Sequence, residues 1–500
     1  MHLAQRVRIK RNKLSSRLAH TNLEDNSSFR RSLTLLDGAL LVIGSMIGSG
    51  IFIVSGDISR QLGGAGWLIV VWLLSGFITL AAALSYGELS GMFPNAGGQY
   101  VYLRESFGKL YGFLYGWSFF AVIQTGTIAA VGVGFAKFTG YLVPELGEKN
   151  ILFNGPGGFT ITAAQLLGIG SIFLLTLINT RGVKSGKWIQ FIFTFAKIGA
   201  MAALVLFGFF LFKDHSIWQA NWTDMWRATN TTIKDKVITR ESLSGLAIVG
   251  PLCAAMVGAL FSSDAWNNVT FIAGEIKRPE RNIGMSLFIG TVVVTGIYIA
   301  MNLMYLNVLS MNEIGINNQN DRIALMAAIK IFGDAGTNFI AIMIMVSTFG
   351  CNNGLILSGS RVYYTMANDG LFFPAAAKLN TKGVPAVALW MQFAWASVLC
   401  LSGKYGDLLD FIIFTVLLFY ILTIAGIFKL RMTRPDVARP YKAFGYPVIP
   451  AVYIILAATI CVMLLIYKPM YSWPGLAIVL LGIPVYFLLQ KRLKPTNDQN

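Results

Sequence analysis

Apolar runs of about twenty residues or more recur from one end of this chain to the other, separated by short polar stretches. Each run is long enough to cross a hydrocarbon core of ~30 Å. The runs are rich in Leu, Ala, Gly and Phe and lack the ten-residue alternation of an outer-membrane barrel, so the pattern predicts helices. Twelve spans are predicted, at about 34–61, 66–92, 107–143, 160–180, 186–212, 245–273, 283–309, 325–363, 384–402, 406–430, 447–467 and 472–490. The expected fold class is an all-α polytopic membrane protein with both termini on one side. The longest segment between spans, about 213–244, is too small for a catalytic domain.

Two spans carry interruptions. The first breaks at "GSMIGSG" (Gly44–Gly50), and the sixth breaks at "GALFSSDAWNN" (Gly258–Asn268). They lie five spans apart. Five is odd, so a second copy of a five-helix unit enters the membrane in the opposite sense. Paired interruptions in two halves point to an inverted-repeat transporter with discontinuous helices 1 and 6. The expected organisation is a basic segment 1–32, a first repeat 33–212, a loop 213–244, a second repeat 245–432, two peripheral spans within 433–490 and a tail 491–500. No residue-level identity links the halves, so the repeat rests on hydropathy alone.

A helix unwound inside a membrane frees backbone groups that protein, water or a ligand must satisfy. Glycine lets a ligand approach the backbone closely. The second half of the first span, from about Ser49 and Gly50, directs its positive end into the gap and suits a carboxylate. The first half ends near Ser45 and Met46 with free carbonyls that suit an ammonium. The sixth-span break offers carbonyls near Phe261 and Asp264. Together these match the two charges of a free α-amino acid. Close helix packing through Gly44 and Gly48 is the competing explanation. It does not account for Ser49–Gly50 or for the second break.

Composition narrows the class. Hydrophobic residues make up 55% of the 500 and charged residues 13%, against about 25% charged in soluble domains. The net charge of +17 raises the question of nucleic acid. However, about 27 Lys and Arg fall on the side of the N-terminus and about 12 on the other, which is the positive-inside bias of a cytoplasmic N-terminus. The expected location is therefore the inner or plasma membrane, with no nucleic-acid partner. The first 32 residues hold no apolar core of a signal peptide, which leaves the first span to act as targeting signal. Cys253, Cys351, Cys400 and Cys461 all sit in apolar runs, and His2, His20 and His215 lie outside them. No metal spacing, disulfide framework or cofactor is expected.

Four stretches carry a family resemblance: "GSMIGSGIF", "SYGELSGMFPNAGGQYVYLRESFG", "GEIKRPERNI" and "STFGCNNGLILSGSRVYYTMANDGLFF". They resemble the amino acid–polyamine–organocation transporter superfamily, and within it the L-type amino acid transporters and related bacterial exchangers. The resemblance runs from about residue 33 to 440. It implies a LeuT-like five-plus-five inverted repeat and sodium-independent amino acid transport, often by exchange. By motif, Ser49 and Gly50 match the carboxylate-binding positions. The carbonyls of Met46, Phe261 and Asp264 match the ammonium-binding positions. Phe261 also matches the aromatic that closes over the substrate, and Asn267 a polar residue of the pocket. Animal members joined to a heavy chain use a cysteine in the loop after the third span. That loop here, "GYLVPELGEKNILFNGPGGFT", has none, so no disulfide-linked partner is expected.

Lys197 lies about the middle of the fifth span, too deep to snorkel, and an intramembrane charge is a functional candidate by default. The resemblance places such a lysine where sodium-coupled relatives bind Na⁺, bonded to carbonyls around Gly44. Bracing of two helices is the alternative. Asp264 either caps the second half of the sixth helix or faces the pocket. Glu88 reads as a gate or ion pair, with proton uptake as the other reading. Arg361 reads as an anchor or inner gate, and "PERN" (Pro279–Asn282) as a loop hinge. Gln124, Asn302 and Asn353 read as interhelical hydrogen-bonders, with Asn353 also a candidate for facing substrate.

The leading expectation is an alternating-access exchanger of neutral L-amino acids. Proton-coupled uptake and carriage of cationic amino acids or polyamines are the alternatives. An integral-membrane enzyme lacks its catalytic clusters here, and a channel lacks rings of polar residues along a pore.

Overall fold

A computed structural model describes residues 29, 31–156, 160–212, 214–234, 237–316, 323–402 and 405–493. Most of the predicted basic segment 1–32 and the end of the predicted tail therefore lie outside the described residues. Among the described residues, ten helices are long and apolar enough to cross a membrane, and shorter apolar helices complete the set. The first span is split into Leu35–Met46 and Ser55–Leu62, and the second is Ala65–Met92. The third joins Lys109–Ser118 to Gln124–Leu142 through a π-helical turn at Phe119–Ile123. The fourth and fifth are Ala163–Thr180 and Val183–Phe210. The sixth runs Val249–Ser262, breaks, and resumes for one turn at Asn268–Phe271. The remaining six are Pro279–Val308, Asp334–Asn368, Ala386–Ser402, Tyr405–Thr433, Val448–Tyr467 and Pro469–Leu493. Among the described residues, two short antiparallel strand pairs lie between spans: β1 (Ile151–Asn154) with β2 (Thr160–Thr162), and β3 (Thr229–Lys234) with β4 (Val237–Ser242).

Helix starts follow local chemistry. Thr34 and Asp37 form a reciprocal capping box at the head of the first span, and Thr162 with Gln165 does the same for the fourth. Two boundaries differ from expectation. The eighth span does not begin near 325. Gly333, at φ 68°, turns the chain between a separate helix Ile323–Phe332 and the span proper. Pro279–Asn282 is no loop hinge but the first turn of the seventh helix, entered at Pro279 in the first helical position, where a missing N–H costs nothing.

The packing reproduces itself when each span is replaced by the one five further on. The first packs on the seventh and fifth, and the sixth packs on the second and tenth. The third packs on the fourth, and the eighth on the ninth. The fifth packs on the eighth, and the tenth on the third. The pairs second–seventh and third–eighth map onto themselves. This is the symmetry of two five-helix repeats. Small residues permit the closest approaches: a Cβ at Gly168 would lie 3.1 Å from the Gly132 carbonyl oxygen, so the third and fourth spans touch backbone to backbone.

Ion pairs close the face where the first span begins. Arg361 donates through Nε to Glu275 at 2.9 Å, and both side chains are fully buried. Glu88 accepts two bonds from Arg431, at 3.0 and 2.6 Å, and one from the Ala443 N–H at 2.7 Å, with Arg439 a further 3.3 Å away. Arg104 and Tyr100 both donate to Asp369. Glu105 joins the rim: burial works against its charge, but bonds from Arg434 and Arg104 hold its carboxyl below the usual range. Glu88 and Arg361 are thus both partners in ion pairs, whereas the sequence suggests an ion pair for Glu88 alone. The Arg361–Glu275 pair is shut away from water, whereas Arg434–Glu105 is exposed. Arg361→Met strands a buried carboxylate and is expected to cost about 3–5 kcal/mol. Arg434→Met is expected to cost at most ~1 kcal/mol. Melting curves in detergent distinguish them, and equal shifts would contradict the burial difference.

Candidate functional site

The first span stops helically at Met46, and Ile47 leaves the helix with ψ 92°. The carbonyls at such an end have no partner within the helix. Here neighbouring spans supply partners. Lys197 Nζ donates to Gly44 O at 2.8 Å, Ile47 O at 2.7 Å and Ser347 O at 3.1 Å. Cys351 Sγ donates to Ser45 O at 2.9 Å. The Ser347 hydroxyl lies 3.3 Å from both Ile47 O and Gly48 O. Tyr298 Oη lies 3.1 Å from Met46 O and 2.8 Å from Ser262 O. One hydroxyl proton is thus shared between the carbonyl ends of the two broken spans. Lys197 is 1% exposed, and its Nζ bonds the carbonyls at the broken end of the first span.

Beyond the break, Gly50–Phe52 forms a single tight turn before the helix resumes at Ser55, later than the sequence suggested. Ser49 stands at the head of this turn. The backbone N–H groups of Gly50 and Ile51 head the same turn and meet no carbonyl among the described residues. A Cβ at Gly50 would come 2.8 Å from Ser262 Cβ and 3.2 Å from its Cα. The glycine is therefore there for a close approach, and the two breaks meet at this point.

The sixth-span break turns through Ala265, an L-residue held at φ 62°, where the side chain crowds the backbone. Asp264 N–H donates to Phe261 O at 3.1 Å, so the Phe261 carbonyl is engaged within its own turn. Asn267, not Asp264, stands before the short helix, and it makes no side-chain cap bond. The Asp264 carboxylate accepts from Tyr420 Oη at 2.6 Å. Asn267 donates to Gln99 Oε1 at 3.0 Å, and Gln99 donates in turn to Thr423 at 3.1 Å.

A small cavity of about 10 Å³, room for about one water, lies between the third, sixth and tenth spans. Gln99, Gln124, Thr127, Asp264, Asn267 and Tyr420 give it its polar lining. Asp264 and Asn267 thus reach a cavity, while Met46, Ser49, Gly50 and Phe261 do not line it and Lys197 faces the opposite side of the first break. Gln99 and Tyr420 escaped the sequence reading. The signal for Gln99 was Gly97–Gly98, at φ 106° and 45°, which turns the loop back against the sixth span. Tyr420 left none, being one hydroxyl in an apolar run. Gln124 donates to Leu355 O at 2.6 Å, Asn302 accepts from Ser55 at 2.6 Å, and Asn353 bonds Asn179, Gly186 and Gln190. All three are interhelical hydrogen-bonders. Asn353 turns toward the fourth and fifth spans, away from the cavity. No group of three His, Cys, Asp or Glu among the described residues is placed to hold a metal.

Two substitutions probe this arrangement. Gly50→Ala pushes on the Ser262 backbone, and it is expected to abolish substrate-induced thermal stabilisation while the protein still purifies as a single species. Lys197→Ala takes the ammonium from three buried carbonyls; Ile47 O keeps the Ser347 hydroxyl and Ser347 O lies within its own helix, so the cost falls mainly on Gly44 O, at about 1–3 kcal/mol. It is expected to lower flux at least about tenfold with membrane expression retained, and full flux would reduce Lys197 to a brace.

Comparison with known proteins agrees with this geometry. The family model described as "Amino acid permease" matches residues 33–487. The chain is 30% identical over 473 residues to the serine/threonine exchanger SteT of Bacillus subtilis, covering 94% of this chain and 99% of the relative. It is 28% identical to the mouse Asc-type amino acid transporter 1, covering 92% and 81%. It is 25% identical to the mouse b(0,+)-type amino acid transporter 1, covering 96% and 92%. These are transport proteins, not enzymes. The broken first and sixth spans, the repeat of five helices and these matches together make the chain a member of the amino acid permease family, within the amino acid–polyamine–organocation superfamily.

Proposed function

We propose that the chain is a sodium-independent, alternating-access exchanger of amino acids, with neutral L-amino acids as its main substrates. The carrying observation is the meeting of the two breaks at Gly50 and Ser262. Open N–H groups of Gly50 and Ile51 lie on one side and carbonyls sharing a single hydroxyl proton on the other. That pairing suits a carboxylate and an ammonium fixed to one carbon. In this reading Ser49 and Gly50 receive the carboxylate. The carbonyls of Met46, Phe261 and Asp264 receive the ammonium, displacing Tyr298 from Met46. Phe261 closes over the substrate, and Asn267 lines the way to its side chain. Lys197 supports sodium independence, because its ammonium occupies carbonyls that a bound cation would otherwise need.

The ion-paired face is the cytoplasmic gate in this reading, and the termini lie in the cytoplasm of a plasma or inner membrane. The lysine and arginine bias toward that face supports the orientation. The four cysteines are buried in the spans, so no disulfide-linked heavy chain is part of the proposal. The names of the relatives support exchange: one is a serine/threonine exchanger, and the others are amino acid transporters.

Uptake of labelled amino acid into proteoliposomes without sodium tests the proposal. Uptake is expected only when unlabelled amino acid is inside. Concentrative uptake into empty vesicles under an inward proton gradient would mean symport instead.

A further inference from the structure

Between the tenth and eleventh spans the chain forms a short strap, residues 434–446, across the end of the second span on the ion-paired face. One side chain folds it. Arg439 donates through Nη1 to Pro435 O at 3.0 Å and Val437 O at 2.9 Å, and through Nη2 to Leu430 O at 3.1 Å and Arg434 O at 2.9 Å. All four acceptors belong to the strap or to the end of the tenth span. Tyr446 ties the far end to the same span: Arg431 Cζ lies 3.6 Å from the centre of its ring, and the Phe428 ring packs on it at 5.1 Å. The strap thus keeps its shape through its own bonds and stays with the tenth span.

Its hold on the second span is of another kind. Among the described residues, the hydrogen bonds that reach the second span from the strap and from Arg431 at its root all end on one carboxylate, that of Glu88. Arg431 grips both oxygens, the Ala443 N–H donates to Oε2 at 2.7 Å, and Arg439 Nε stands 3.3 Å from Oε1. Around this point the helix is smooth. A Cβ at Gly87 would lie 2.8 Å from the Tyr441 ring, and one at Gly91 3.6 Å from Pro440 Cδ. Glycines let the strap lie flat on the helix without interlocking with it. A buried carboxylate that gathers every bond is a single point of release. Without its charge, the two guanidiniums that face it lose their counter-charge and repel each other.

We propose that the strap is a catch on the cytoplasmic gate. In the closed form Glu88 holds it on the second span. Opening toward the cytoplasm takes the second span off the strap, which stays with the tenth. Glu88 is the positioning residue of this step and touches no substrate. This rests on the alternating-access reading above and adds the element that must let go.

The strap carries its own reporter. Arg434 and Arg439 are each followed by proline, so Lys442–Ala443 is the strap's one bond open to trypsin. The Ala443 N–H held by Glu88 belongs to that bond. Glu88→Gln keeps the shape of the side chain and removes its charge. It is expected to speed cutting after Lys442 at least about tenfold, in a protein that still elutes as a single species. A second variant pins the catch. Gly91→Cys with Tyr441→Cys brings two thiols within reach, because a Cβ at Gly91 would lie 3.8 Å from Tyr441 N. Serine-for-serine exchange by the unaltered chain in proteoliposomes comes first, and its failure would remove the exchanger reading itself. The disulfide-linked variant is expected to lose more than about tenfold of that rate and to regain it on reduction. Full exchange with the disulfide formed would overturn the proposal while leaving exchange intact, as would trypsin cutting that Glu88→Gln leaves unchanged.

Discussion

Backbone freed inside a membrane must find partners, and the first span frees its own at Met46. From Ile43 to Gly48, six consecutive carbonyls are satisfied by groups drawn from several places. Lys197 comes from the fifth span, Tyr298 from the seventh, and Ser347 and Cys351 from the eighth. The break is therefore also where four spans are tied together. Lys197 takes the heaviest part, because one ammonium offers three donors and the helix end it meets carries partial negative charge. Without such a cation, the unwound turn would need an ion or water in its place.

The sixth span solves the same problem differently. Its break is shorter, closes partly on itself through the Asp264 N–H, and passes through Ala265 in a conformation that costs an L-residue roughly 1–2 kcal/mol. Strain of that kind is found where a site must be held in one shape. One break is braced from outside and the other is strained from within. They touch at Gly50 and Ser262, and Tyr298 spans them. A ligand that takes over the shared proton's role at Met46 alters both halves at once.

Much of this was legible in the chain. Hydropathy gives the number and order of the spans, though not every boundary, because lipid tolerates only backbone that is bonded within its own segment. Glycine and serine inside such a run expose the breaks, and a lysine in mid-span announces itself by its cost. Geometry that depends on side chains from distant spans was not legible. The cavity wall of Gln99 and Tyr420 depends on a loop folding back and on the tenth span's rotation about its axis, and neither has a periodic signature. Asp264 was ambiguous for the same reason: a carboxylate after a broken helix reads equally as a cap until Tyr420 is seen opposite it. The expected start of the eighth span failed because apolar residues run on both sides of Gly333, and only its positive φ separates them.

The central claim is that the substrate lies where the two breaks meet. A cryo-EM map of the protein in nanodiscs with saturating amino acid tests it directly. The account predicts density for one amino acid at Gly50 and Ser262, its carboxylate on the Gly50 and Ile51 N–H groups, and the Tyr298 hydroxyl displaced from Met46 O. Bound amino acid elsewhere, with the Tyr298 bridge intact and the Gly50 turn unoccupied, would contradict it.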